Sequence, residues 1–171
     1  MNERNENILV EQAKKQKYEL ERFVQEVLVK DTDYGLIPKT NKRCLQKSGA
    51  EKLCTLYGYG TRFDIISREV LSDDGYFAYE IKSILFDSQT GQTVAEGVGA
   101  CNSKEKKYLK STPFDVANTV LKMAKKRAFV DAVLTATASS DIFTQDLTED
   151  SLTSIQDLII SVKIRIRYLD S

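Results

Sequence analysis

The side chains in this sequence with the type and spacing to do chemistry are cations. Between Asn102 and Arg127 stand Lys104, Lys106, Lys107, Lys110, Lys122, Lys125, Lys126 and Arg127, opposed only by Glu105 and Asp115. A smaller basic segment, Pro38 to Arg43, ends in Lys42 and Arg43. Ammonium and guanidinium groups at this density neutralise phosphates and release the counterions condensed on a nucleic-acid strand. Such contacts go to the sugar-phosphate backbone and are blind to base sequence. Taken alone, Lys122 reads as part of a solvated helix face. The Lys104 to Lys110 loop suits either role. Tyr108 within it is of a type that stacks on single-stranded bases, at ~1–3 kcal/mol per base. Tyr57, Tyr59, Phe63 and Tyr79 read instead as core.

Other chemistries lack their residues. There is no histidine, which removes Ser/His and Cys/His dyads and imidazole metal sites. No G-x-x-x-x-G-K-[ST] segment occurs, so no P-loop is encoded. Asp64, Asp73 and Asp74 come nearest to an acidic metal cluster, but their neighbours read as an ordinary strand and turn. No catalytic residue, metal or cofactor is expected. Cys44, Cys54 and Cys101 are odd in number, widely spaced and without a CxxC pair, so they read as small buried apolar residues.

The elements that must position the cations follow from periodicity. The chain has 171 residues, 42% hydrophobic and 29% charged, which suits one globular domain with a tail. The domain is placed at 1–145 and the tail at 146–171. Asn7 to Val29 has helical spacing of Ile8, Leu9, Ala13, Leu20, Phe23, Val24, Val27 and Leu28. Asp31 to Gly35 has turn chemistry. A short helix is expected over Ser48 to Tyr57, with Ser48 and Glu51 spaced as a capping box and Gly58 and Gly60 as its stop. Three strands follow, at Arg62 to Leu71, Tyr76 to Phe86 and Gln92 to Cys101, joined by short turns into an antiparallel meander. Gly97 and Gly99 inside the third strand point to a bend around a helix, or to room for a sugar-phosphate chain. Pro113 opens a long helix with Asp115 in its first turn. Its apolar face is Val116, Val120, Met123, Ala124, Phe129, Val133 and Leu134, and Lys122, Lys125 and Lys126 cluster on the other side. The expected fold class is α+β, an antiparallel three-stranded β-meander packed on a long helix (a β-β-β-α core) with an N-terminal helix.

Net charge is zero, so its distribution carries the information. The basic block is followed by an acidic one, Asp141, Asp146, Glu149, Asp150 and Asp157, with no base among them. The end of the tail, Ile160 to Tyr168, alternates apolar and polar residues with period two, a strand pattern. No apolar run approaches the ~18 residues of a membrane span. Met1 to Asn7 is polar without a signal-peptide core, so a cytoplasmic protein is expected.

Specific segments resemble a known family. They are Tyr34-Gly35-Leu36-Ile37-Pro38, Ser48-Gly49-Ala50-Glu51-Lys52-Leu53, Glu96-Gly97-Val98-Gly99, and the helix Ala117 to Leu134 with its Lys125-Lys126-Arg127-Ala128 core. In this order they resemble the Rad-fifty-two superfamily of single-strand annealing proteins, in the small form carried by phages and mobile elements. The resemblance spans Tyr34 to Phe143. It implies ATP-independent binding of single-stranded DNA and annealing of complementary strands in recombination or repair. It also implies a ring or filament of identical copies, with DNA in a basic groove between the helical base and the β-β-β-α layer. Lys126 and Arg127 match the groove's Lys-Arg, and Arg43 matches a basic residue of the incoming segment. A further family arginine would fall at Val130, so that contact is missing here, and either its role passes to Lys122 or Lys125 or the groove binds more weakly. Lys104, Lys106, Lys107 and Lys110 are candidates for a second, outer site. The expected partners are single-stranded DNA, further copies, and a single-strand binding protein or exonuclease near the nucleoid of a bacterial host. The alternative is an interaction module of a recombination or replication complex, whose Ile160 to Tyr168 strand adds to a partner's sheet.

Overall fold

The computed structural model describes residues 3–37, 42–71 and 75–144. In chain order these form α1 (Glu3–Glu26), β1 (Tyr34–Leu36), β2 (Arg43–Leu45), α2 (Lys47–Tyr57), β3 (Tyr59–Leu71), β4 (Tyr76–Asp87), β5 (Thr93–Asn102), α3 (Pro113–Ala136) and β6 (Phe143–Thr144). The class is α+β, and β3-β4-β5 is the expected antiparallel meander lying against the long helix.

The helix starts where its capping chemistry dictates. Thr112 is the N-cap, its Oγ1 accepts from the Asp115 N–H, and Pro113 occupies the first turn where its missing N–H costs nothing. Val116, Val120, Ala124 and Ala128 recur every fourth residue and lie with Ile81 and Cys101 of the sheet in one buried cluster. Farther along, Phe129, Val130, Val133 and Leu134 meet Leu20, Val24 and Leu28 of the α1 segment and Ala50, Leu53 and Cys54 of α2. The first half of α3 is therefore covered by the sheet, and its second half by the sheet on one side and two helices on the other.

Gly97 and Gly99 serve this packing. A Cβ at Gly99 would strike the amide nitrogen of Ala128, and one at Gly97 that of Ala132. Their pairing with Ser83 and Ile81 of β4 runs on without a shift, and the irregularities lie elsewhere, at Ile65/Ser67 and Leu85/Phe86. The glycines thus admit the backbone of α3. That helix fills the room expected for a sugar-phosphate chain.

A second small sheet, β1-β2-β6, was not expected. Tyr34 and Gly35, read as turn, open β1, and Arg43, read as loop, opens β2. The parallel pairing of Arg43 with Phe143 then ties the chain after α3 to its N-terminal region. The capping box does not form. Gln46 sits at the N-cap of α2 without a side-chain cap bond, Ser48 donates to the Thr32 carbonyl, and Glu51 pairs with Lys47. Buried Asp33 organises this junction, its Oδ2 accepting from the Val29 N–H at 2.8 Å and from Lys52 Nζ at 2.6 Å. Burial pushes the Asp33 carboxyl up, but the hydrogen bonds from Lys52 and Val29 outweigh it and hold the group below its ordinary value. Gly58 stops α2 in the left-handed region at φ 68°, as expected. Among the described residues no helix is long and apolar enough to cross a membrane. The tail 146–171, with the strand expected at Ile160 to Tyr168, lies outside the described residues.

Candidate nucleic-acid interface

A helix turns about 100° per residue, so Lys125, Lys126 and Arg127 enter three different surroundings. Lys125 leans toward β3, its Nζ 4.4 Å from the centre of the Phe63 ring. Lys126 points toward the start of α2, its Nζ donating to Gln46 Oε1 at 2.9 Å. Arg127 points toward β5. Its Nη1 donates to the Ala100 carbonyl and to Glu105 Oε1, both at 2.6 Å, and its Nη2 to Glu105 Oε2 at 3.0 Å.

That last arrangement revises the weight placed on Arg127. Its planar fork grips a carboxylate of this chain, and Lys107 binds the same carboxylate at 3.1 Å. Glu105 is buried. Burial alone would raise its pKa, but the Arg127 guanidinium, a hydrogen bond from Cys101 and the Lys107 ammonium hold it at about 2. Arg127 is in turn raised, since Glu105 outweighs the burial that would lower it. The group is a clamp that folds the 103–112 loop back against the middle of α3.

On this clamped loop Lys104, Lys106, Lys107 and Lys110 are exposed. Tyr108 is not. It is buried against Cys101 and Val116, its Oη 3.9 Å from Cys101 Sγ, so it cannot stack on a base as expected. Burial pushes its hydroxyl pKa up, and pushes the Cys101 thiol up to about 12. Cys54 is likewise buried, while Cys44 is half-buried. Phe63 fills the seam between the two core clusters, and Tyr57 stacks on Tyr59 with ring centres 5.5 Å apart.

The remaining candidates gather on the other flank of α3. Arg43 lies over the Tyr34 ring at 5.3 Å, and Lys42 beside it is exposed. Gln46, the partner of Lys126, follows Arg43 by three residues, roughly 10 Å of extended chain. The Lys126–Gln46 bond, spanning 80 positions of sequence, therefore ties α3 to the end of the hairpin that carries Lys42 and Arg43. The loop lysines stand across the helix, on the β5 side with Arg127. One basic block in the sequence thus divides into two surfaces.

Two functional residues escaped sequence reading. Gln46 carries no signal in its own neighbourhood. Glu105 carries one, as the sole acid in a run of lysines. Among the described residues no group of carboxylates or cysteines is arranged to hold a metal, and Asp64 stands exposed on β3. No protein-family model matches the chain, and no curated protein matches it.

Proposed function

We propose that this chain binds single-stranded DNA along the border between the β1–β2 hairpin and α3, and pairs complementary strands without nucleotide hydrolysis. The observation that carries the reading is the Lys126–Gln46 contact, which brings two basic segments from distant parts of the chain to one surface. The cations assigned to it under this reading are Lys42, Arg43, Lys122, Lys125 and Lys126. The order of motifs shared with single-strand annealing proteins supports the same reading. Lysines that meet only phosphates accept any sequence, as an annealing protein must. Several copies in series multiply weak contacts into stable binding, so avidity replaces a single tight site. A single-strand binding protein or exonuclease in a bacterial cytoplasm fits this role as partner.

The test is binding of a fluorescent mixed-sequence oligonucleotide across a salt series, followed by addition of its complement without ATP. Binding weakens steeply with salt, and each phosphate contact removed lowers the log–log slope by about 0.7 for a single strand. Lys126→Ala and the double variant Lys122→Ala with Lys125→Ala are expected to weaken binding and slow annealing while the fold survives. A folded wild-type protein that does not bind at low salt would overturn the reading.

A further inference from the structure

The two edges of the main sheet are finished differently. On β5 two outward backbone groups are taken up by α3: Val98 donates to Asp131 Oδ2 at 2.9 Å, and the Ala100 carbonyl accepts from Arg127. On β3 the only strand partner among the described residues is β4. Residues 64–69 are exposed in an unbroken row, with Ile65 at 59% and Ile66 at 47%. A strand of 13 residues with one unpaired edge is a template for another strand.

The two faces along that edge differ. On the helix side lie Phe63 and Ile65, paired with Ser83 and Ile81, and beyond the bulge Arg68 and Val70. Lys125 stands over Phe63 on that side. On the outer side lie Arg62, Asp64, Ser67 and Glu69, and Ser67 reaches Glu80 of β4. Outside the described residues, the sequence holds one segment with matching faces. Ile160, Val162, Ile164, Ile166 and Tyr168 form one row, and Ser161, Lys163, Arg165 and Arg167 the other. With the apolar row beside Ile65 and Val70, the basic row meets Asp64, Glu69 and Glu80. The opposite parity would bring three cations toward Lys125 and expose the apolar row on the outer face.

Reach favours the segment of the same chain. Phe143, near the end of the described chain, belongs to the core cluster against which Tyr59 and Phe63 of β3 pack. The intervening residues 145–159 extend to about 50 Å, and a tether of that length keeps the local concentration of its own segment high.

We propose that residues 160–168 add to the open edge of β3 of their own chain as the fourth strand of the sheet. The addition covers an edge that otherwise accepts strands from other molecules. It does not rest on the nucleic-acid reading: of the cations assigned there it involves Lys125 alone, as a neighbour that sets the parity.

Amide hydrogen exchange on the full chain tests it. In the wild type, the alternate β3 amides that point away from β4 exchange slowly, to the same degree at low and high protein concentration. Ile164→Pro, which removes a donor and breaks the strand, speeds those amides by about tenfold or more while β4 and β5 keep their protection. Lys163→Glu with Arg165→Glu has the same effect, and adding Asp64→Lys with Glu69→Lys restores protection. Outward β3 amides that exchange without protection in the wild type overturn the proposal. Protection that grows with protein concentration overturns it in favour of a second copy, and protection unchanged in Ile164→Pro assigns the edge to another occupant.

Discussion

Replacing Arg127 by alanine should damage the fold more than it damages any contact with DNA. The magnitude follows from Glu105, whose carboxyl is held at about 2 against an ordinary 4.5. Each pKa unit is worth about 1.4 kcal/mol, so the ionised form is favoured in the folded state by roughly 3 kcal/mol. Because the folded pKa is depressed, this stability is fully present above pH 4.5 and is lost as pH falls through 2. Arg127 is the largest favourable contributor, ahead of Cys101 and Lys107. Its share is about 2 kcal/mol after allowing for a guanidinium side chain 34% exposed to solvent. Losing the bond to the Ala100 carbonyl adds about 1 kcal/mol.

For a domain of this size, a loss of roughly 2–3 kcal/mol lowers the melting temperature by about 5–10 °C. Circular dichroism melts at pH 7 and pH 3 measure it. The wild type loses stability between these values, and Arg127→Ala loses less because part of the linked term is already gone. Arg127→Lys retains charge without the fork and falls between the two. Lys126→Ala, whose head group meets the neutral Gln46 amide among the described residues, melts close to the wild type. If folded Arg127→Ala melts within about 1 °C of the wild type at pH 7 and has lost DNA binding, the fork serves phosphate and the clamp argument is refuted.

Gly99→Ala and Gly97→Ala drive a methyl into the backbone of α3. Each should cost about 2 kcal/mol or more, read as a lower urea midpoint, and an unchanged midpoint would mean that helix and strand part easily. Asp33→Asn retains size but gives up the Lys52 ion pair, and is expected to cost about 1–3 kcal/mol. Since Asp33 is held below its ordinary value, the wild type and the variant should converge in stability as pH falls below the usual carboxylate range. Burial pushes Cys54 up to about 11 and Cys101 up to about 12, so both thiols should be nearly inert to a disulfide reagent at pH 8 until the protein unfolds. Rapid labelling of Cys101 in the native state would mean that the clamped loop opens.

What was legible in the sequence was whatever repeats. The meander and α3 are long enough for period two and period 3.6 to show, and Thr112, Pro113 and Asp115 mark the helix start by local chemistry alone. The β1-β2-β6 sheet repeats nothing. Its strands are two or three residues long, too short to show alternation, and β2 acquires its parallel partner only 100 positions later. The Ser48–Glu51 spacing misled because both side chains are claimed by stronger partners, the Thr32 carbonyl and Lys47. The two glycines of β5 point in sequence to a bend around a helix or to room for a sugar-phosphate chain, and in the structure the backbone of α3 lies against both.

The candidate site shows the same limit in its charges. A run such as Lys125-Lys126-Arg127 counts as three cations in sequence, yet successive residues on a helix diverge by about 100°, so neighbours in the chain are strangers on the surface. What each cation does is then settled by whichever acceptor lies in its direction: a ring for Lys125, an amide for Lys126, a buried carboxylate for Arg127. Only the last is fully committed, because a paired buried carboxylate cannot be abandoned without leaving its charge uncompensated in a poorly solvated place. Under the proposed function the clamp would give Arg127 an indirect part in binding, since it fixes the loop that carries Lys104, Lys106, Lys107 and Lys110. Under the proposed function, α3 would then separate two basic surfaces, one beside the hairpin and one beside β5. Annealing needs a strand held and a second strand brought near it, and two surfaces divided by one helix meet that need better than a single continuous patch.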